Sequence, residues 1–201
     1  MRHSLYDLPL LALWLAWLAY WVFAARDLKP VQRREPWPSR LLTIALIIPA
    51  ALLMAVRGDW LPWLGARFLP DTTIVYWLGL LLVMAGLGFA VWARVHLGRN
   101  WSGTVTVKEN HELIRSGPYA IVRHPIYTGL LLAMLGTAIV VGEWRGLLSF
   151  CFLSAAFWLK LRREERFMAE NFPDTYPSYR AQVPALVPLF HRSDPGPGSS
   201  G

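Results

Sequence analysis

Apolar residues in this chain fall into five long runs separated by shorter polar segments: 8–25, 41–56, 74–93, 126–142 and 146–161. A helix needs roughly 20 apolar residues to cross the hydrocarbon core of a bilayer. The third run meets that length, with twenty residues free of charge. The second, fourth and fifth are shorter, at 16, 17 and 16 residues, so each either packs as a buried helix or ends inside the interface. Only Glu143-Trp144-Arg145 separates the last two, which predicts an αα-hairpin with a very tight turn. The first run, at 18 residues, exceeds the roughly 7–15 apolar residues of a signal peptide and is expected to be retained as a spanning helix. The pattern predicts an all-α, polytopic membrane helical bundle of about five transmembrane helices, with a C-terminal helical hairpin and a cytosolic extension.

Composition narrows the class further. The chain has 201 residues, enough for one domain. Hydrophobic residues make up 55% and charged residues 16%, with 11 Trp and a mean hydropathy of +0.34. A soluble domain this small exposes too much of itself to hide that apolar surface. This argues against a soluble enzyme and against a disordered chain. The single cysteine, Cys151, excludes an intrachain disulfide and a cysteine-based zinc or iron–sulfur site, so no metal is expected. Lying in an apolar run, it is expected to pack inertly. A net charge of +7 would suit nucleic acid, but in an apolar chain it reads as loops held against an anionic leaflet. No nucleic-acid partner is expected. With the N-terminus outside, the inner segments hold sixteen Lys and Arg residues and the outer segments four. That bias predicts a cytosolic C-terminus. Outer residues 57–73 carry Trp60, Trp63 and Phe68 with Pro62 and Pro70, and read as an interfacial segment. Residues 193–201 are expected to form a flexible tail.

Polar chemistry concentrates in two inner segments. In the first, Thr104-Val105-Thr106-Val107 reads as a short extended stretch and Ser116-Gly117-Pro118-Tyr119 as a turn. Proline suits the first helical position, so the fourth long helix is expected to begin at Pro125, with His124 at or beside its cap. The first turn of such a helix is a ready site for a carboxylate or phosphate. Tyr127 lies in that turn, and Gly129 admits close approach of a ligand or of another helix. The second segment, Lys160 to Met168, continues the fifth helix. Lys160 and Glu164 are one turn apart on one face, and Glu165 lies about 100° round. Local sequence favours a capping or interfacial histidine at His124. It favours a solvated, salt-bridged helical extension for the paired glutamates, with a site for a cationic ligand as the alternative.

Taken together, these residues resemble a known family. Gly117-Pro118-Tyr119 followed by Arg123-His124-Pro125-Ile126-Tyr127-Thr128-Gly129 resembles the RHPxYxG block of isoprenylcysteine carboxyl methyltransferases. Glu164-Glu165, then Phe172-Pro173, Tyr176, Tyr179 and Val183-Pro184, is similar to that family's EE…FGxxYxxYxxxVP ending. The resemblance covers about residues 75–188 and implies a single membrane methyltransferase domain over 1–192. Membrane phospholipid N-methyltransferases share the paired glutamates, and sterol reductases share a looser RHxxY pattern with a nicotinamide cofactor.

The resemblance implies S-adenosylmethionine as cofactor at the cytosolic membrane face, held by Lys108, His111, Glu112, Leu113, Ile114, Tyr119, His124, Pro125, Ile126, Tyr127 and Glu164. Lys160 and Glu165 would face the acceptor. No soluble-type nucleotide fingerprint is present, since Gly86-Leu87-Gly88 lies inside an apolar helix without a preceding strand. Two departures stand out: Lys160 occupies the family's usual arginine position, and Phe172-Pro173 replaces Phe-Gly. The implied reaction is methyl transfer to a lipophilic acceptor entering from the bilayer, such as the carboxylate of an isoprenylated cysteine. A carboxylate is ionised near neutrality, whereas a thiol or ammonium needs a general base. No obvious nucleophile–base pair stands in the sequence. A phospholipid amine, a small thiol, a sterol-type reduction and a non-catalytic membrane role are the alternatives.

Overall fold

The computed structural model describes residues 3–26, 37–55, 61–98 and 113–188. Within them the fold is all-α: α1 (His3–Ala24), α2 (Trp37–Ala55), α3 (Pro62–Gly65), α4 (Thr73–Leu97), α5 (Pro118–Ile121), α6 (Pro125–Val141), α7 (Trp144–Asn171) and α8 (Tyr176–Gln182). Helix α4 is long and apolar enough to cross a membrane, and Leu8–Ala24, Leu41–Met54 and Pro125–Val141 are shorter apolar helical stretches. Thr72 starts α4 by accepting a hydrogen bond from the Val75 N–H at 3.3 Å. Helix α6 begins at Pro125, as expected, and ends where Gly142 adopts φ 67°. The turn of the hairpin is thus Gly142-Glu143, and α7 runs unbroken from the apolar segment into the polar one.

The central pair is α4 against α6, antiparallel and very close. Gly79 meets Gly136 and Val140, and Gly86 meets Gly129 and Ala133. A Cβ on Gly86 would lie 2.5 Å from Ala133 N and from Gly129 O. Lipid tails are as apolar as leucine, so helices in a bilayer associate through close packing and small residues at the contact. Gly129 therefore serves the approach of a helix. Around this pair, polar contacts fix the remaining helices. Thr137 Oγ1 accepts from Trp14 Nε1 at 3.1 Å and ties α1 to α6. Buried Arg94 donates to Ala24 O at 2.6 Å and Gly98 O at 2.7 Å, holding the C-terminal ends of α1 and α4 together.

Helix α2 lies antiparallel on α7. Ser149 donates to Ala50 O at 2.7 Å, Arg145 to Met54 O at 3.0 Å, and Arg163 to Thr43 Oγ1 at 3.1 Å. At the far end, residues 66–69 clasp the α6–α7 turn: Phe68 N–H donates to Gly142 O at 2.9 Å and Trp144 N–H to Ala66 O at 3.1 Å. Trp63 is exposed there, while Trp60 lies outside the described residues. Cys151 is exposed on α7. These contacts gather the C-terminal ends of α1 and α4, the N-terminal ends of α2 and α6 and the polar half of α7 at one end of the bundle.

Candidate functional site

At that end the first turn of α6 meets α7 one turn beyond its apolar segment. His124 is the N-cap of α6, and its ring lies between the two glutamates. Nδ1 is 3.4 Å from Glu164 Oε2 and Nε2 is 3.5 Å from Glu165 Oε1. Three residues on, the Tyr127 hydroxyl donates to Glu164 Oε1. The Tyr127 ring stacks on His124 at 5.7 Å and on Phe157 at 5.0 Å, and Lys160 Nζ lies 5.5 Å from its centroid. Phe157, Lys160 and Glu164 recur at helical spacing, so one face of α7 presents all three to α6.

The adjacent glutamates diverge because they are about 100° apart on the helix. Glu165 turns into the protein, where Arg123 Nε donates to Oε1 at 2.9 Å and Arg123 Nη2 donates to the same oxygen. Arg180 Nε stands 3.8 Å from its other oxygen. The Glu165 side chain is 9% exposed and that of Glu164 is 23% exposed, so Glu164 is the one able to meet a ligand.

Arg123 also donates to Arg180 O at 3.0 Å and to Val183 O. The N–H groups of Arg123 and His124 donate to Pro184 O at 2.9 Å and Ala185 O at 3.0 Å, and Thr128 Oγ1 donates to Leu186 O at 2.7 Å. Residues 183–186 thus strap the start of α6 from below. Tyr119, in the short helix α5, is buried, and its carbonyl accepts from the Tyr179 hydroxyl at 2.6 Å.

The charges are set by this packing. Burial alone would lower the His124 pKa, but the facing Glu164 and Glu165 outweigh it and hold the imidazole above its ordinary value. Burial works against ionisation of Glu164, yet His124, Lys160 and the Tyr127 hydroxyl hold it below the ordinary carboxylate value. Burial opposes Glu165 too, and His124 and Arg123 prevail, bringing it to about 2. Burial, and then the Glu164 charge, push the Tyr119 phenol up. The two carboxylates thus favour the protonated form of His124, and their cationic partners favour the ionised glutamates. His124 Nε2 is buried and has no hydrogen-bond partner among the described residues.

His124, Tyr127, Lys160, Glu164 and Glu165 therefore come together, Pro125 and Ile126 lie between His124 and Tyr127 in the first turn of α6, and half-buried Leu113 and Ile114 lead into the turn that carries Tyr119. Lys108, His111 and Glu112 lie outside the described residues. Sequence reasoning gave Phe157 no role, although its place seven residues before Glu164 marks the same helix face. Arg123 stands within a sequence motif, but no local signal marks its clamp on Glu165 or its hold on the strap.

The family model for phospholipid methyltransferase matches residues 74–175, just over half of the chain. The chain belongs to that family. The match begins one residue inside α4 and spans α5, α6 and α7, which is the element set that builds the cluster. Among curated relatives, the Schizosaccharomyces pombe protein-S-isoprenylcysteine O-methyltransferase is 36% identical over 101 residues, 49% of this chain and 43% of that protein. The cobalt-zinc-cadmium resistance protein CzcN of Cupriavidus metallidurans is 34% identical over 123 residues, 59% of this chain and 53% of that protein. The chain spans about half the length of these curated relatives. Among solved structures, a eukaryotic intramembrane Ras methyltransferase, isoprenylcysteine carboxyl methyltransferase, superposes with a TM-score of 0.52 at 23% identity. The superposition covers 73% of this chain and 52% of that one, and the likeness is one of fold.

Proposed function

We propose that this chain is a multi-pass membrane methyltransferase that moves a methyl group from S-adenosylmethionine to a lipophilic acceptor arriving as an anion. The observation that carries the proposal is the His124–Glu164–Glu165–Tyr127 cluster at the inner end of α6 and α7, within the segment matched by the family. Its donor set fits the cofactor. Glu164 is an ionised, partly exposed carboxylate for a cationic ligand, and the buried His124 Nε2 is without a hydrogen-bond partner among the described residues. Tyr119, Pro125, Ile126 and Tyr127 would line the rest of the site, with Leu113, Ile114 and the sequence-predicted Lys108, His111 and Glu112 on its approach.

When bound, S-adenosylmethionine supplies a sulfonium methyl, whose loss leaves a neutral thioether. Glu164 would hold negative charge beside the cationic ligand, Tyr127 fixes the orientation of that carboxylate, and the apolar segments of α6 and α7 adjoining the site would keep water away. The two carboxylates beside His124 favour its protonated form, which suits it to hold Glu164 in place. Glu165 is committed to Arg123 and acts as a positioning residue. A carboxylate acceptor is already deprotonated near neutrality and asks for no general base. The Lys160 ammonium, above the Tyr127 ring, would pair with it. The chemistry named in the curated isoprenylcysteine relatives agrees.

A phospholipid amine is the second reading, favoured by the family's own description. Incubation of the purified protein with methyl-labelled S-adenosylmethionine and prenyl-cysteine or membrane-lipid extracts separates the two by mass spectrometry. A base-labile methyl ester supports the carboxylate, a methylated amine the phospholipid, and no product from either extract contradicts both. In the proposed topology five segments span the bilayer, with the N-terminus outside and the site at the cytosolic face. Labelling of single cysteines in 175–185 by an impermeant reagent from outside would reverse it.

A further inference from the structure

We infer that His96, on the last turn of α4, is a positioning residue for Tyr119 and through it for cofactor binding. The inference rests on the methyltransferase reading above. His96 lies outside both sequence motifs and is exposed, yet one imidazole meets three residues of the Ser116–Tyr119 turn. Its Nε2 and Ser116 Oγ share a hydrogen bond of 2.9 Å across 20 residues of sequence. Its ring stacks on Tyr119, with centroids 6.4 Å apart and planes 26° from parallel. Between these contacts the Gly117 backbone lies directly on the ring, since a Cβ there would stand 2.7 Å from His96 Cε1 and 2.9 Å from both ring nitrogens.

This accounts for the glycine of the Gly-Pro-Tyr turn twice over. Gly117 takes φ 58°, which side chains rarely adopt, and it leaves room for the imidazole. Tyr119 is then held from two sides. The Tyr179 hydroxyl fixes its carbonyl, and the His96 ring sets the plane of its phenol, close enough to the paired glutamates for the Glu164 charge to act on it. A hydrogen bond at an exposed position contributes little by itself. Ring-on-ring and ring-on-glycine packing therefore carry the effect, and a phenyl ring can replace the imidazole in it.

The test is equilibrium binding of labelled S-adenosylmethionine to the full chain in detergent, with the melting temperature of each variant. His96→Ala is expected to weaken binding roughly 3- to 10-fold, the span of an aromatic pair, with a melting temperature near that of the parent. His96→Phe should stay within about 2-fold, and so should Ser116→Ala. If His96→Ala binds like the parent while Glu164→Gln or Tyr119→Ala weakens binding, the inference about His96 fails and the cofactor site stands. If His96→Ala lowers the melting temperature and His96→Phe restores neither property, His96 has only a structural role and the inference fails. If the parent itself does not bind, the methyltransferase reading falls and the inference falls with it.

Discussion

Replacing Gly86 by alanine adds one methyl group at the point where α4 and α6 come nearest. That carbon would sit 2.5 Å from Ala133 N and Gly129 O and 3.0 Å from Ala133 Cα. These are backbone atoms, so no side chain can turn aside. Comfortable carbon contacts lie at about 3.5–4.0 Å, so the helices must part locally by about 1 Å. Overpacking of this kind costs about 1–3 kcal/mol. For a chain of this size each kcal/mol moves the midpoint by about 2–4 °C, which gives a fall of roughly 2–12 °C. Gly88, two residues on, is the control: a Cβ there meets nothing within 4 Å, and alanine is the better helix former. Gly88→Ala should be neutral or slightly stabilising. Thermal unfolding of both variants in one detergent, followed by size-exclusion fluorescence, makes the comparison. Equal midpoints for Gly86→Ala and Gly88→Ala would refute the close α4–α6 contact on which the position of His124 depends.

Three further outcomes follow from the site. Arg123→Ala strands the buried Glu165 carboxylate and should cost about 3–5 kcal/mol, with Arg123→Lys intermediate because an ammonium cannot span Glu165 and two carbonyls; the same melting assay reads it. The His124 pKa is raised on folding, so its contribution is full below the ordinary imidazole value of 6.5 and fades as pH rises through the folded-state value, while that of Glu165 holds above 4.5 and is lost as pH falls towards about 2; melting temperature against pH should show an alkaline decline that His124→Gln flattens. Lys160→Ala should leave S-adenosylmethionine binding nearly intact while lowering turnover of an acidic acceptor, and Lys160→Arg should retain it; a cofactor dissociation constant that rises as much in Lys160→Ala as in His124→Ala would refute this division of the site.

What the sequence disclosed and what it withheld divide along physical lines. Local signals were legible. Pro125 announced the start of α6, the three residues between the last two apolar runs announced the hairpin, and the Lys160-to-Glu164 spacing announced a shared helix face. Family motifs then named most of the cluster before any distance was known. Contacts between distant segments were not legible. Nothing local says that Arg123 reaches the carbonyls of Arg180 and Val183, or that Pro184 and Ala185 accept from the two residues before Pro125. The glycines of α4 and α6 have no side chains to betray their partners, so only packing shows that Gly86 faces Gly129. The paired glutamates were visible as a pair, but their split into one partly exposed and one clamped carboxylate depends on which side of α7 Arg123 approaches.

In the proposed function Glu164, held by His124 and Tyr127, receives S-adenosylmethionine. Equilibrium binding of labelled cofactor to the purified full chain, beside Glu164→Gln, tests it most directly. The parent chain is expected to bind saturably. Glu164→Gln is expected to bind more weakly by about 1.5–3 kcal/mol, the range of a charge-assisted hydrogen bond, at an unchanged melting temperature. Equal affinity in the two proteins would contradict it and return Glu164 to a solvated helical extension.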